Sequence, residues 1–158
     1  MNISILKQIH NNAVALISIF IAVSALGYNT WRNETTEEQR NIRHAAFRVL
    51  EDLGEVQEVV DSRFYYLAFG SEIAAEGELR IRGFGSVAMI RDLMSLMPAP
   101  GPDAGRELHE LWLNHFSSLD QLDVSGQHSE AAKDAERELT QAVRQARVAV
   151  LEVLRSLE

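Results

Sequence analysis

The sequence predicts an all-α protein, in which a single transmembrane helix is followed by an antiparallel, up-down-up-down four-helix bundle. Three observations support this fold class. The segment Ala13–Tyr28 contains no charged residue and is bordered by asparagines and by Trp31. Later segments carry apolar residues at helical spacing. Short polar connections containing glycine or proline separate these segments, as in bundles whose consecutive helices are antiparallel.

The expected organisation has four regions. These are an N-terminal leader at 1–12, a transmembrane signal-anchor helix at 13–31, a polar junction at 32–41 and a helical-bundle domain at 36–158. Two interpretations of the junction remain open. Thr35 and Glu38 form a capping box at which a new helix could begin. An apolar heptad that runs back from Ile42 favours one helix that continues from the anchor into the bundle.

The apolar segment is close to the length that a bilayer requires. Its sixteen residues would extend ~24 Å as a helix, and the flanking residues would cover the remainder of a ~30 Å hydrocarbon core. One face carries small side chains that would let a second transmembrane helix approach closely. This predicted packing face consists of Ala15, Ser18, Ala22 and Ala25.

A removable signal peptide is the alternative to an anchor. Val23-Ser24-Ala25 is an acceptable cleavage site, and its use would release a soluble exported domain that begins at Leu26. In either case the leader resembles an export signal. The arginines after the anchor favour a cytoplasmic domain by the positive-inside rule, but they lie among glutamates. We therefore expect a protein of the bacterial inner membrane with a periplasmic C-terminal domain.

The first helix of the predicted bundle covers residues 36–68, and Gly70 is expected to end it. Acidic residues opposite its apolar seam are expected to face solvent. The seam consists of Ile42, Ala46, Val49, Leu53, Val56, Val60 and Leu67, and the acidic face of Glu51, Asp52, Glu55 and Glu58. Glycines at 77, 83 and 85 predict that 70–85 is the least regular part of the domain.

Three more helices complete the predicted bundle. The second covers 85–97 and ends before three closely spaced prolines. The third covers 104–122, with Asp103 as its N-cap and His115 on its buried face. The fourth begins after Ser129, a second N-cap candidate, and continues to the C-terminus.

Composition and motifs argue against several classes of function. The chain has no cysteine, which removes disulfides, thiol catalysis and cysteine-ligated metals. Its net charge of −8 argues against nucleic acid as a partner. The histidines lack the Glu-x-x-His and His-Glu-x-x-His spacings of metal sites, and no glycine-rich phosphate-binding motif occurs. We expect no enzyme activity, no metal and no cofactor.

One cluster of residues is a candidate ligand-binding or docking site. Arginine and aromatic side chains flank the segment that is expected to be irregular, where they could bind a small anion. The alternative is that the aromatic rings close the end of the bundle while the arginines extend into solvent. The cluster consists of Arg63, Tyr65, Tyr66, Arg80, Arg82 and Phe84.

Two functions are compatible with these features. The first is a non-enzymatic interaction or accessory subunit of a membrane assembly, with a protein partner or a homodimer. The second is a bundle that senses a small anion and signals through a partner.

Overall fold

The computed structural model describes the backbone of residues 3–66 and 73–157, and the side chains of 12–15, 17–66 and 76–157. Four α-helices follow one another along the chain: α1 (Ile3–Tyr65), α2 (Ile73–Ser95), α3 (Gly101–His115) and α4 (Glu130–Ser156). A short 3-10 helix, Phe116–Ser118, follows α3. The described ranges contain one isolated β-bridge and no strand, so the all-α prediction is confirmed.

Helix α1 is continuous over 63 residues, including the polar junction. The Oγ1 atoms of Thr35 and Thr36 donate hydrogen bonds to the carbonyl oxygens of Trp31 and Arg32 at 3.0 and 2.8 Å. These hydroxyls bond to carbonyls four residues earlier in the same helix, as they do in a helix interior. A new helix therefore does not begin at Thr35, and the interpretation of one continuing helix is confirmed.

The chain divides into two compact units, Met1–Asn41 and Ile42–Glu158. The described side chains of the N-terminal unit are almost all exposed. The C-terminal unit contains the hydrophobic core, to which all four helices contribute. Fully buried side chains include Ala46, Val49, Leu53, Val56 and Val60 of α1, Ile90 and Met94 of α2, Leu108 and Trp112 of α3, and Leu139, Ala146 and Val150 of α4.

Helix α1 contacts α4 and α2. The Arg43 guanidinium donates a hydrogen bond to the carbonyl oxygen of Leu157 at 2.9 Å, and Gln57 Nε2 donates to Thr140 Oγ1 at 3.0 Å. On the α2 side, Ser86 Oγ donates to a Glu55 carboxylate oxygen at 3.1 Å.

Helix α3 packs against α2 and α4. Its Trp112 ring lies edge-on to Phe84 of α2, with 6.0 Å between ring centroids. Its His115 is half-buried instead of lying in the core, and the Nε2 atom is 2.9 Å from Glu138 Oε2 of α4. Each helix of the C-terminal unit therefore contacts two others.

The expectation that 70–85 is irregular is wrong from residue 73 onward. Helix α2 includes Gly77, Gly83 and Gly85 without a break. At Gly83 the missing side chain has a packing role, because a Cβ there would overlap the Trp112 ring. The predicted helix end at Gly70 and the seam residue Leu67 lie outside the described residues.

The predicted bounds of α3 also need correction. The helix begins at Gly101 with Pro100 as its N-cap, so Asp103 lies in the first turn instead of capping it. Pro102 fits this start because the first helical residues need no backbone N–H. The α-helix ends at His115, seven residues earlier than the predicted Leu122. The second predicted cap is confirmed, since Ser129 Oγ accepts a hydrogen bond from Ala132 N at 3.1 Å.

Candidate functional site

The apolar segment lies within helix α1, and no other described part of the chain buries it. An 18-residue window of this helix has a mean hydropathy of 1.8, and none of the window is buried. It is the one helix of the described chain that is long and apolar enough to cross a membrane. Tyr28 and Trp31 lie at the C-terminal end of the apolar segment, with 6.2 Å between their ring centroids.

The predicted packing face is exposed along its whole length. Ala15, Ser18, Ala22 and Ala25 all have exposed side chains. The Ser18 Oγ donates a hydrogen bond to the Val14 carbonyl oxygen at 2.8 Å. Because the helix itself satisfies this hydroxyl, the face presents no unpaired side-chain donor to its surroundings.

Arg63, from the predicted arginine–aromatic cluster, lies inside the C-terminal unit. The residue is only 4% exposed, and its guanidinium carbon lies 4.4 Å from the centroid of the Phe116 ring. Its NH2 atom is 3.0 Å from Asp120 Oδ1 and 3.7 Å from Glu76 Oε1. Its Nε and NH1 atoms are buried without a hydrogen-bond partner among the described residues. Arg63 thus links α1 to α2 and to the segment after α3.

The other arginines of the cluster have different partners. The NH2 atom of Arg82 lies 3.2 Å from Glu58 Oε1, in a half-exposed ion pair. Arg80 is exposed, and its guanidinium carbon lies 5.0 Å from the centroid of the Phe84 ring. The pairing of Arg80 with Phe84 follows from their helical spacing of four residues.

The tyrosines of the cluster lie on the surface, and both Tyr65 and Tyr66 are exposed. Tyr65 contacts Phe64 edge-on, with 4.9 Å between ring centroids. The structure therefore brings Arg80 to Phe84 and buries Arg63, while Arg82 pairs with α1.

Sequence reasoning missed the partners of these residues, which come from distant parts of the chain. Asp120, the carboxylate nearest to Arg63, follows it by 57 residues. His128 stacks on Phe64 with 3.8 Å between ring centroids. Phe116 stacks on Trp112 at 4.8 Å and provides the face that Arg63 contacts. No local sequence pattern predicts such pairs, because helix periodicity indicates which residues are buried but not which distant residues they contact.

Asp52 corrects the prediction of a solvated acidic face. The residue is 2% exposed, and its Oδ1 atom lies 3.0 Å from Arg48 NH2. Its Oδ2 atom is buried without a hydrogen-bond partner among the described residues. Burial raises the pKa of Asp52 above its ordinary value, and Arg48 opposes this effect. The other acidic residues, Glu51, Glu55 and Glu58, are exposed as predicted.

A hydrogen-bonded loop connects α3 to α4. The Asp123 Oδ1 atom accepts bonds from Ser125 Oγ at 2.6 Å, from Ser125 N at 2.8 Å and from Gln127 N at 3.1 Å. These bonds favour the charged carboxylate and lower the pKa of Asp123. Gly126 adopts φ +78° at the turn, a conformation that a side chain would disfavour. The loop presents Val124 fully to solvent.

The described residues contain no group of three or more His, Asp or Glu side chains placed to hold a metal ion. An open groove of about 450 Å³ lies between the start of α3 and the second half of α4. A second groove of about 410 Å³ lies between α1 and α4, where Gln57 bridges Asp61 and Thr140. Comparison of the chain with protein-family models, with curated proteins and with solved structures finds no match.

Proposed function

We propose that this chain is a single-pass membrane protein whose C-terminal unit docks, as an accessory subunit, onto a partner in the same membrane. The observation that carries the proposal is the apolar stretch of α1. A window of 18 residues with a mean hydropathy of 1.8 and none of it buried is unfavourable in water. A bilayer would cover it, and the Tyr28 and Trp31 pair would then lie at an interface where such rings are enriched.

The C-terminal unit is proposed to be an up-down-up-down four-helix bundle. The contacts between α1 and α4 support this arrangement, because residues later in α1 contact residues earlier in α4, as in an antiparallel pair. Arg43 contacts Leu157, the C-cap residue of α4, and Gln57, two thirds of the way along α1's part of this unit, contacts Thr140 in the first half of α4. A bundle of this kind is a rigid body with exposed helix faces, which suits a docking role.

The proposed location is the bacterial inner membrane, with the C-terminal unit on the periplasmic side. The partner would be a larger membrane protein or a second copy of this chain. In the second case, the exposed face of Ala15, Ser18, Ala22 and Ala25 would allow two membrane helices to approach closely. The hydroxyl of Ser18, which bonds within its own helix, would add no desolvation cost to that contact.

Anion sensing is the second candidate function, and one observation favours it. Arg63 is buried, and two of its nitrogens have no partner among the described residues. A small carboxylate that reached these donors would form charge-assisted hydrogen bonds. Stabilisation of the protein by such an anion, abolished by Arg63→Met but retained in Arg80→Ala, would favour sensing.

The test is crosslinking and mass spectrometry on the intact protein, purified in mild detergent from its own host. Stoichiometric recovery of one larger membrane complex supports the accessory role. Recovery of the protein as a homodimer identifies a second copy of this chain as the partner, whereas recovery as a monomer overturns the accessory role and leaves anion sensing as the remaining candidate. N-terminal sequencing of the same sample checks the anchor. A mature chain that begins at Leu26 would mean that a signal peptide is removed and a soluble domain is exported.

A further inference from the structure

The groove between α3 and α4 combines an apolar lining with exposure to water. Its apolar residues are Pro100 and Ala104 near the start of α3, and Val148 and Ala149 on α4. Val148 is 54% exposed, whereas its neighbour Ala149 belongs to the core. Small alanine side chains on both helices leave room for the backbone of another element to approach closely.

Most of the charge in this groove is negative. Asp103 and Glu107 of α3 and Glu152 of α4 line it, together with one arginine, Arg144. Arg106 neutralises Asp103 through an ion pair. Within the described part of the chain, neither Glu107 nor Glu152 has an ion-pair partner. Among the described residues, the groove therefore presents two carboxylates and one arginine without ion-pair partners beside an apolar surface, and the excess of negative charge favours a basic partner.

The length of the groove sets the size of what it can hold. Its α4 side extends from Gln141 to Glu152, which is ~16 Å, or about three turns of a helix. We propose that this groove binds one helix of a partner membrane protein, with an apolar stripe flanked by lysine or arginine. The inference rests on the proposed accessory function, for which it names the docking face.

The charged groups divide between the two ends of the groove. Since His115 at the end of α3 contacts Glu138 near the start of α4, Glu107 lies at the Arg144 end and Glu152 at the other end. Basic residues of the partner would face Glu107 and Glu152. A contact of about three turns is smaller than most stable interfaces. Anchoring of both proteins in one membrane compensates, because it raises the effective concentration of the partner helix.

The test places a photoreactive benzoylphenylalanine in the full-length protein, expressed in its own host. It replaces Val148 in the groove or, as a control, Met89 on α2, since the two side chains are similarly exposed at 54% and 50%. We expect a crosslink from position 148 and none from position 89, to a partner peptide with at least two basic residues beside an apolar stripe. A crosslinked peptide without basic residues, a crosslink to lipid or a crosslink to a second copy of this chain overturns the proposal.

Charge reversal provides the second measurement. Glu107→Arg and Glu152→Arg should each reduce the crosslink from position 148 by about tenfold, because like charges then face each other. Glu110→Arg, on the exposed surface of α3 outside the groove lining, should leave the crosslink unchanged. Replacing the partner's basic residues with glutamate should restore the crosslink. An equal loss of the crosslink in all three charge-reversal variants overturns the proposal. If a reversal at Glu107 or Glu152 lowers the melting temperature, the corresponding Glu→Gln variant is measured in its place.

The outcomes separate the docking face from the function. If a partner still copurifies at stoichiometric amounts while position 148 gives no crosslink, the groove is not the docking face and the accessory role stands. If the full-length protein is recovered as a monomer, both proposals fail.

Discussion

Replacing Gly83 with alanine is expected to destabilise the C-terminal unit, although alanine favours helices. A Cβ at this position would overlap Trp112 Cζ2 and lie 2.9 Å from Cη2 of the same ring and 3.0 Å from Val59 Cγ1. The ring is fully buried and stacked on Phe116, so it cannot withdraw without moving its neighbours. Overpacking of this kind costs ~1–3 kcal/mol, while Gly→Ala in a helix gains ~0.5–1 kcal/mol. The net effect is a loss of about 1–2 kcal/mol.

Gly85→Ala is the matched control, because a Cβ there meets nothing within 4 Å. It should gain ~0.5–1 kcal/mol through helix propensity. For a unit of this size, the two melting temperatures should then differ by about 10 °C. The measurement is thermal unfolding of each full-length variant in detergent, followed by circular dichroism. Gly83→Ala melting at or above Gly85→Ala would refute the packing argument.

Three further predictions concern charged groups. Because burial raises the pKa of Asp52 above 3.8, the stability that this carboxyl contributes is greatest below that value and is lost as pH rises through the folded-state pKa. Asp52→Asn should therefore raise the urea midpoint at about pH 7 and change it little near pH 3, and an equal gain at both would contradict the assignment. Asp120→Ala removes the carboxylate 3.0 Å from Arg63 and should cost about 2 kcal/mol, but much less in an Arg63→Met background, as a double-mutant cycle would measure. Asp123→Ala should accelerate hydrogen exchange at the Ser125 and Gln127 amides, with unchanged exchange as the contrary result.

The all-α class and most of the core positions of α1 follow from local sequence. Apolar spacing identified the buried positions of α1, because a helix places residues three and four apart on one face. The same rule, applied more widely, would have found Asp52. Its neighbours at seven residues on either side, Ala45 and Val59, belong to or pack against the core. Because α1 contacts two other helices, its buried face is wider than the seam of single residues that the spacing predicts, and Asp52 lies on this wider face.

Long-range packing accounts for what the sequence could not predict. Gly83 was expected to interrupt a helix, since its packing role depends on Trp112, which lies in another helix. Of the candidate cluster, only the contact between Arg80 and Phe84 has a local cause. Arg63 has its partners in other elements, at Asp120 and Glu76, which no pattern around residue 63 identifies.

The two tryptophans of the chain allow its two units to be followed by intrinsic fluorescence. Trp31 is 64% exposed beside the apolar segment, whereas Trp112 is fully buried. The indole nitrogen of Trp112 has no hydrogen-bond partner among the described residues, which favours short-wavelength fluorescence. Acrylamide should therefore quench Trp31 more strongly than Trp112 when the protein is held in detergent. In vesicles, brominated lipids should quench Trp31 alone, with a depth dependence that locates it relative to the headgroups.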